Sequence, residues 1–293
     1  MTVQSALPVV GAGRAKARGW LKRLLLLRES PIGMVGAFLV LFWIVVAIFA
    51  PVLSPYDPNE NYVDDYGNWG PSAMYWLGRD NQGRDILSRL IWGSRIVLTV
   101  GPIATFCAYV VGCTMGLLAG YYRGWVDVVV SRISDMILSF PVIILYLIII
   151  SVFGPSAFNI VLAVTVIASP QVARIVRGLT LELRERDYVA AAKMRGESAV
   201  YIMLVEILPN ARGPLIVDAC LRMGYTTIAI GVLGFLGLGL PPPDPDWGGM
   251  VKDTYGMMSS FPHMSLFPCA AISSLVVGFN LLADGLREIS MRD

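Results

Sequence analysis

Charge is scarce in this 293-residue chain: Asp, Glu, Lys and Arg together make up 15% of it, against 56% hydrophobic residues. A mean hydropathy of +0.65 excludes an ordinary soluble domain and makes the chain an integral membrane protein. Histidine occurs once, at His263, and Cys107, Cys113, Cys220 and Cys269 stand singly without C-x-x-C spacing. That pattern argues against a thiolate metal site or a disulfide framework, and reads the cysteines as small hydrophobes in helices. The nucleotide-binding pattern G-x-x-x-x-G-K-[ST] is missing, and "GAGRAKARG" at residues 11–19 neither follows a strand nor has the required spacing. The apolar runs also lack the mid-depth carboxylates, histidines and lysines that ion-coupled carriers keep at a cost. Their one charged pair, Asp218 and Arg222, is placed near the cytoplasmic end of the fifth run. Any uphill transport by this chain therefore draws its energy from a partner.

What is present is a set of six apolar segments, near residues 33–53, 97–121, 136–153, 157–172, 215–240 and 266–283. Each is about long enough to cross roughly 30 Å of hydrocarbon, the fourth only by running on past Arg174. The expected fold is an all-α membrane bundle of six transmembrane helices. The first segment follows Arg14, Lys16, Arg18, Lys22, Arg23 and Arg28, yet its length and Pro51 at its end read as a retained anchor rather than a cleaved signal. With the N-terminus inside, seventeen Lys and Arg fall on the cytoplasmic side and five on the other, which orients both termini to the cytoplasm. Residues 1–32 are then a cytoplasmic tail, 33–95 the first span with its extracytoplasmic loop, and 96–288 the remaining bundle, with a cytoplasmic loop at 183–213.

That loop contains "YVAAAKMRGESAVYIMLVEILPNARG" (residues 188–213), apolar yet too short to span a bilayer. Gly196 reads as the break between two short helices, Ser198 as the N-cap of the second, and Pro209 as its stop. Only Glu206 is charged in the second helix, so a helix apolar almost all round must be buried against something. Its own bundle is one candidate and a docking protein another; an interfacial helix would carry Lys and Arg along one face, and this one has none.

These residues resemble a known family. "AAKMRG" followed by "ILPN" is similar to the EAA loop of membrane subunits in binding-protein-dependent ABC importers, which reads E-A-A-x-x-x-G, nine residues, then I-x-L-P. Ala191, Ala192, Gly196, Leu208 and Pro209 match at that spacing, while Ala190 and Glu206 stand where the pattern has Glu and Ile. "PVLSPYDPNE", "WLGRDNQGRDILSRLIWGSRI", "GLLAGYYRGWVD", "SFPVIILYLIIISVFGPS", "GFLGLGLPPPDPDWGGM" and "FNLLADGLRE" resemble, in this order, the C-type permease of dipeptide and oligopeptide importers. The resemblance implies a type I ABC importer fold in the cell membrane and no covalent chemistry in this chain. It also implies a homologous B-type permease, two ATPase subunits holding ATP and Mg, an extracytoplasmic substrate-binding protein, and surrounding lipid, with no nucleic acid. The apolar helix would be a coupling helix, with Ser198, Ile202, Val205 and Glu206 joining the matched residues in an ATPase-coupling loop. A membrane scaffold or receptor that recruits some other cytoplasmic protein is the alternative, and a passive channel a third.

Three further stretches carry expectations. The two G-R-D triplets at residues 78–80 and 83–85 read as turns with exposed local ion pairs. Gly231, Gly234 and Gly237 read as a close-packing stripe, and "PPPDPDWGG" as a stiff external connection with Trp247 at the membrane surface. Asp218 and Arg222, spaced i, i+4, are either an intrahelical ion pair or a translocation-path site whose arginine attracts a peptide carboxylate.

Overall fold

The computed structural model describes residues 30–62 and 69–290. The six basic residues of the N-terminal tail and Arg292 lie outside that range. Helix α1 runs Pro31–Ile48, with Pro31 in its first turn and the Ser30 hydroxyl accepting from the Gly33 N–H, and the short α2 (Ala50–Leu53) continues it. A loop then leads to α3, Ile86–Tyr122, whose 37 residues make a rod about 55 Å long. Helix thus begins at Ile86, well before residue 96.

The third apolar segment is not one helix. It is divided between α4 (Gly124–Leu138) and α5 (Val142–Phe153), which meet at 87°. Pro141 supplies no N–H and disfavours helical geometry at Phe140, so the chain turns there. Among the described residues five helices are long and apolar enough to cross a membrane, and six spans result if the bent pair counts as one. The fourth segment does run on past Arg174, as α6, Ala157–Leu183.

Helices α3 and α6 form the centre of the bundle. Gly112, Gly116 and Gly120 recur every four residues on α3, and a methyl on each would come within 2.6 Å of Val172, Val176 or Thr180 on α6, or of the Ala173 carbonyl. Backbones approach this closely only where side chains are missing. The chain goes on through α7 (Asp187–Met194), α8 (Ala199–Asn210), α9 (Arg212–Phe235), α10 (Trp247–Thr254) and α11 (His263–Ser290). Helix α11 returns beside α1, where Gly33 meets Gly285 and Trp43 Nε1 donates to Ser274 Oγ at 2.9 Å. Ser30 and the end of α11 therefore lie at one end of the bundle. The α7–α8 hairpin lies at that end too, because Arg184 donates to the Tyr121 carbonyl, at the end of α3, at 2.7 Å.

The opposite end is built around the two G-R-D triplets, and they are buried rather than exposed. The Asp80 carboxylate accepts from the Gln82 and Arg84 N–H groups at 2.9 Å and from Arg84 Nε at 2.6 Å, and Arg89 lies 3.8 Å away. Asp85 caps α3 through the Ser88 N–H, and Arg79 stacks on Tyr75. Burial raises the Asp85 carboxyl above its usual range, and its bonds to Ser88 and the Leu87 N–H oppose that shift. Trp247 is likewise not at the surface. It is 0% exposed, packs edge-on against Trp43, and donates Nε1 to the Leu90 carbonyl. Room for α10 comes from glycines: a methyl at Gly248 would overlap the Gly231 carbonyl, and one at Gly234 the Asp246 carboxylate. Gly231 and Gly234 are a close-packing stripe as expected, whereas Gly237, at φ 78°, forms the left-handed turn just beyond α9.

Candidate functional site: the α7–α8 hairpin and the α9 groove

Helix α7 ends where Gly196 takes φ 77°, the left-handed conformation that side chains resist. The Glu197 N–H then reaches back to the Ala192 carbonyl at 3.2 Å and the Gly196 N–H to Lys193 at 3.0 Å, which closes the helix end. Ser198 caps α8 as its sequence position predicts, its hydroxyl accepting from the Tyr201 N–H at 3.2 Å. Pro209 does not stop the helix. Residues Ile202–Ile207 form a π-helical turn, the Leu208 N–H bonding to the Met203 carbonyl, and the chain continues through Asn210 into α9. A wider turn before a proline relieves the clash of its ring with the preceding carbonyls.

The hairpin has two apolar faces with different fates. Ile202, Met203 and Ile207 of α8, with Val189 and Ala192 of α7, are buried against Leu117, Val172, Val176 and Leu215 of the bundle. Ile202 is only 1% exposed, so it supports the hairpin from beneath and offers no docking surface, contrary to its sequence assignment. The other face is open: Met194 is 84% exposed and Leu204 52%, with Val200, Tyr201 and Val205 beside them. Val200, Tyr201 and Leu204 have the i, i+1, i+4 spacing that puts them on one side of a helix; alternation of buried and exposed apolar residues has no signature in hydropathy, so the sequence did not reveal it. Ala191 and Leu208 are half-buried, Pro209 is exposed, and Glu206 pairs with Arg195 at 3.2 Å across the turn. Ala190, at the glutamate position of the resembled pattern, is exposed.

The second constellation is in α9. Arg222 lies ten residues from Arg212, about 15 Å along a helix of roughly 36 Å, so it is near mid-helix and not at the end of the run where the sequence placed it. Its Nε contacts Asp218 Oδ2 at 2.8 Å, which confirms the i, i+4 pair, and its Nη1 donates to Gln171 Oε1 of α6 at 2.8 Å. Asp218 also accepts from the Tyr109 hydroxyl of α3. Tyr109 and Gln171 were not legible as partners, because each is one polar residue in an apolar run on a different helix. The four side chains tie three helices together. Arg222, Gln171 and Tyr225 line a groove of about 430 Å³ whose remaining wall is mostly apolar, including Val142 and Tyr146 of α5 and Ile167 of α6.

Residues 112–292 match the binding-protein-dependent transport system inner membrane component family. The chain belongs to this family. Residues 21–71 match the N-terminal transmembrane domain of oligopeptide transport permease C. The chain is 39% identical over 272 residues to the dipeptide transport system permease protein DppC of Alkalihalophilus pseudofirmus, covering 92% of this chain and 88% of the relative. It is 41% identical over 263 residues to the glutathione transport system permease protein GsiD of Pectobacterium atrosepticum, covering 89% and 87%. A GsiD of Escherichia coli is 40% identical over 262 residues, covering 89% and 86%. As a member of this family the chain is a transport-system membrane component with the type I importer fold.

Proposed function

We propose that this chain is one of two permease subunits of an ATP-driven peptide importer, forming half of the translocation path and coupling it to ATPase subunits through α8. The observation that carries the reading is the exposed apolar face of the hairpin, with Met194, Val200, Tyr201, Leu204 and Val205 open beside the Gly196 turn. Such a patch on a loop too short to cross the bilayer is a protein contact. The distribution of Lys and Arg supports a cytoplasmic position for the hairpin and both termini. The names of the relatives, dipeptide and glutathione permeases, support peptides as cargo. In this reading ATP binding closes the ATPase pair, α8 moves with it, and the rigid α3–α6 unit passes the motion to the path. A binding protein delivers cargo to the opposite end, and a homologous permease completes the path.

The test uses the C-terminally tagged chain purified from its native membrane in mild detergent. A second permease and ATPase subunits are expected to copurify, and Leu204→Asp is expected to lose the ATPases while remaining monodisperse with the second permease. Ile202→Asp, a charge in the buried face, is expected to unfold the hairpin instead. Recovery of the chain alone, or ATPases retained by Leu204→Asp, would reject the coupling reading.

A further inference from the structure

The α9 groove contains two polar groups with donors that the fold leaves unused. Arg222 spends Nε on Asp218 and Nη1 on Gln171, and among the described residues its Nη2 makes no hydrogen bond. A guanidinium only donates, so it is the carbonyl oxygen of Gln171 that faces Arg222, which leaves the amide N–H groups of Gln171 as donors. Both residues line the groove, none of whose lining residues is a carboxylate, and among the described residues Asp218, outside that lining, is the one carboxylate paired with Arg222. Around them the wall is apolar, which strengthens an ionic contact relative to water.

We infer that Arg222 and Gln171 form a carboxylate-recognition point in the translocation path, contacting the C-terminal carboxylate of a passing peptide. The inference rests on the peptide-importer reading above. Chemistry selects the ligand: a planar guanidinium beside an amide donor matches a two-oxygen anion, and every unmodified peptide ends in one. Placement agrees, since an ionisable residue near mid-span is costly and is retained where it faces a cavity and has work to do there. Asp218 then has two roles. With Tyr109 it fixes the guanidinium in position, and its charge keeps the point close to neutral overall, so that a carboxylate is held weakly. A path must release what it recognises, and weak binding permits that.

The experiment reconstitutes the purified complex with its binding protein in proteoliposomes, and measures uptake of a labelled dipeptide and ATP hydrolysis in the same vesicles. Arg222→Gln and the exchange Asp218→Arg with Arg222→Asp are compared with the parent. The exchange keeps an i, i+4 ion pair but removes the cation from the Gln171 side. Both are expected to lower dipeptide uptake about tenfold, the scale of one charge-assisted hydrogen bond, while binding-protein-stimulated hydrolysis persists. Gln171→Leu, which leaves the Asp218–Arg222 pair intact, is expected to raise KM several-fold with hydrolysis unchanged. Parent-level uptake by the exchanged pair, or uptake and hydrolysis falling together in all three variants, would overturn the recognition point and leave a structural ion pair. A parent complex that hydrolyses ATP with its binding protein but takes up no dipeptide refutes the cargo reading itself, and with it this site.

Discussion

At Asp246 one carboxylate caps α10 with both oxygens, accepting from the Gly248 and Gly249 N–H groups at 3.2 Å each. Burial pushes its pKa up to about 6, against the lowering effect of those two bonds and of Arg89. The group therefore binds its proton more tightly folded than unfolded. Its stabilising contribution is fully present below about pH 4, its unfolded range, and is lost as pH rises through about 6. On lowering pH from 7 to 5 the parent should gain about 1 kcal/mol that Asp246→Asn lacks, read as a difference in thermal midpoint in detergent. A midpoint difference that does not change with pH would show that Asp246 titrates normally. At the same scale the G-R-D triplets differ from the exposed turns their sequence suggests: alternating Arg and Asp beside glycine suit a solvated turn equally well, and burial follows from Asp80 gathering the Gln82 and Arg84 amides and the Arg84 side chain.

At the scale of elements, the α3–α6 contact depends on what its glycines omit. A leucine at Gly116 would run into Val176 and the Ala173 carbonyl, which cannot move without parting the two helices. Gly116→Leu is expected to cost at least about 1–3 kcal/mol by overpacking, seen as a lowered thermal midpoint. Gly178→Leu on α6 is the control, because a methyl there meets nothing within 4 Å, and it should stay near the parent value. Equal effects at both positions would mean that helix propensity, not close packing, selects these glycines. Hairpin stability has a different origin: α8 is held by Ile202, Met203 and Ile207 on its buried face, which leaves its other face free to bear a partner without being needed for the fold.

For the whole molecule, orientation is the property on which the functional reading turns. Ser30, the end of α11 and the α7–α8 hairpin share one end, and the G-R-D loop with α10 forms the other. Single cysteines at Met194, 84% exposed, and Trp76, 70% exposed, in a chain whose four natural cysteines are replaced, test which end faces inward. In intact cells a membrane-impermeant maleimide is expected to label the Trp76→Cys chain and to reach the Met194→Cys chain only after permeabilisation. The reverse pattern would place the hairpin outside and remove any cytoplasmic coupling role.

Composition and order along the chain were enough for the membrane class, the approximate spans, the Gly196 break, the Ser198 cap and the family, because each follows from local hydropathy, backbone conformation or a run of matched residues. The i, i+4 pairing of Asp218 and Arg222 was legible for the same reason, helical spacing being a local property. Only the tertiary structure decided which apolar residues of α8 are core and which are open. It also placed Trp247 inside, bent the third span by 87°, and joined Tyr109 and Gln171 to the Arg222 cluster. Those outcomes depend on contacts between residues far apart in the chain, where hydropathy says that a side chain avoids water but not whether lipid, a neighbouring helix or another protein will cover it.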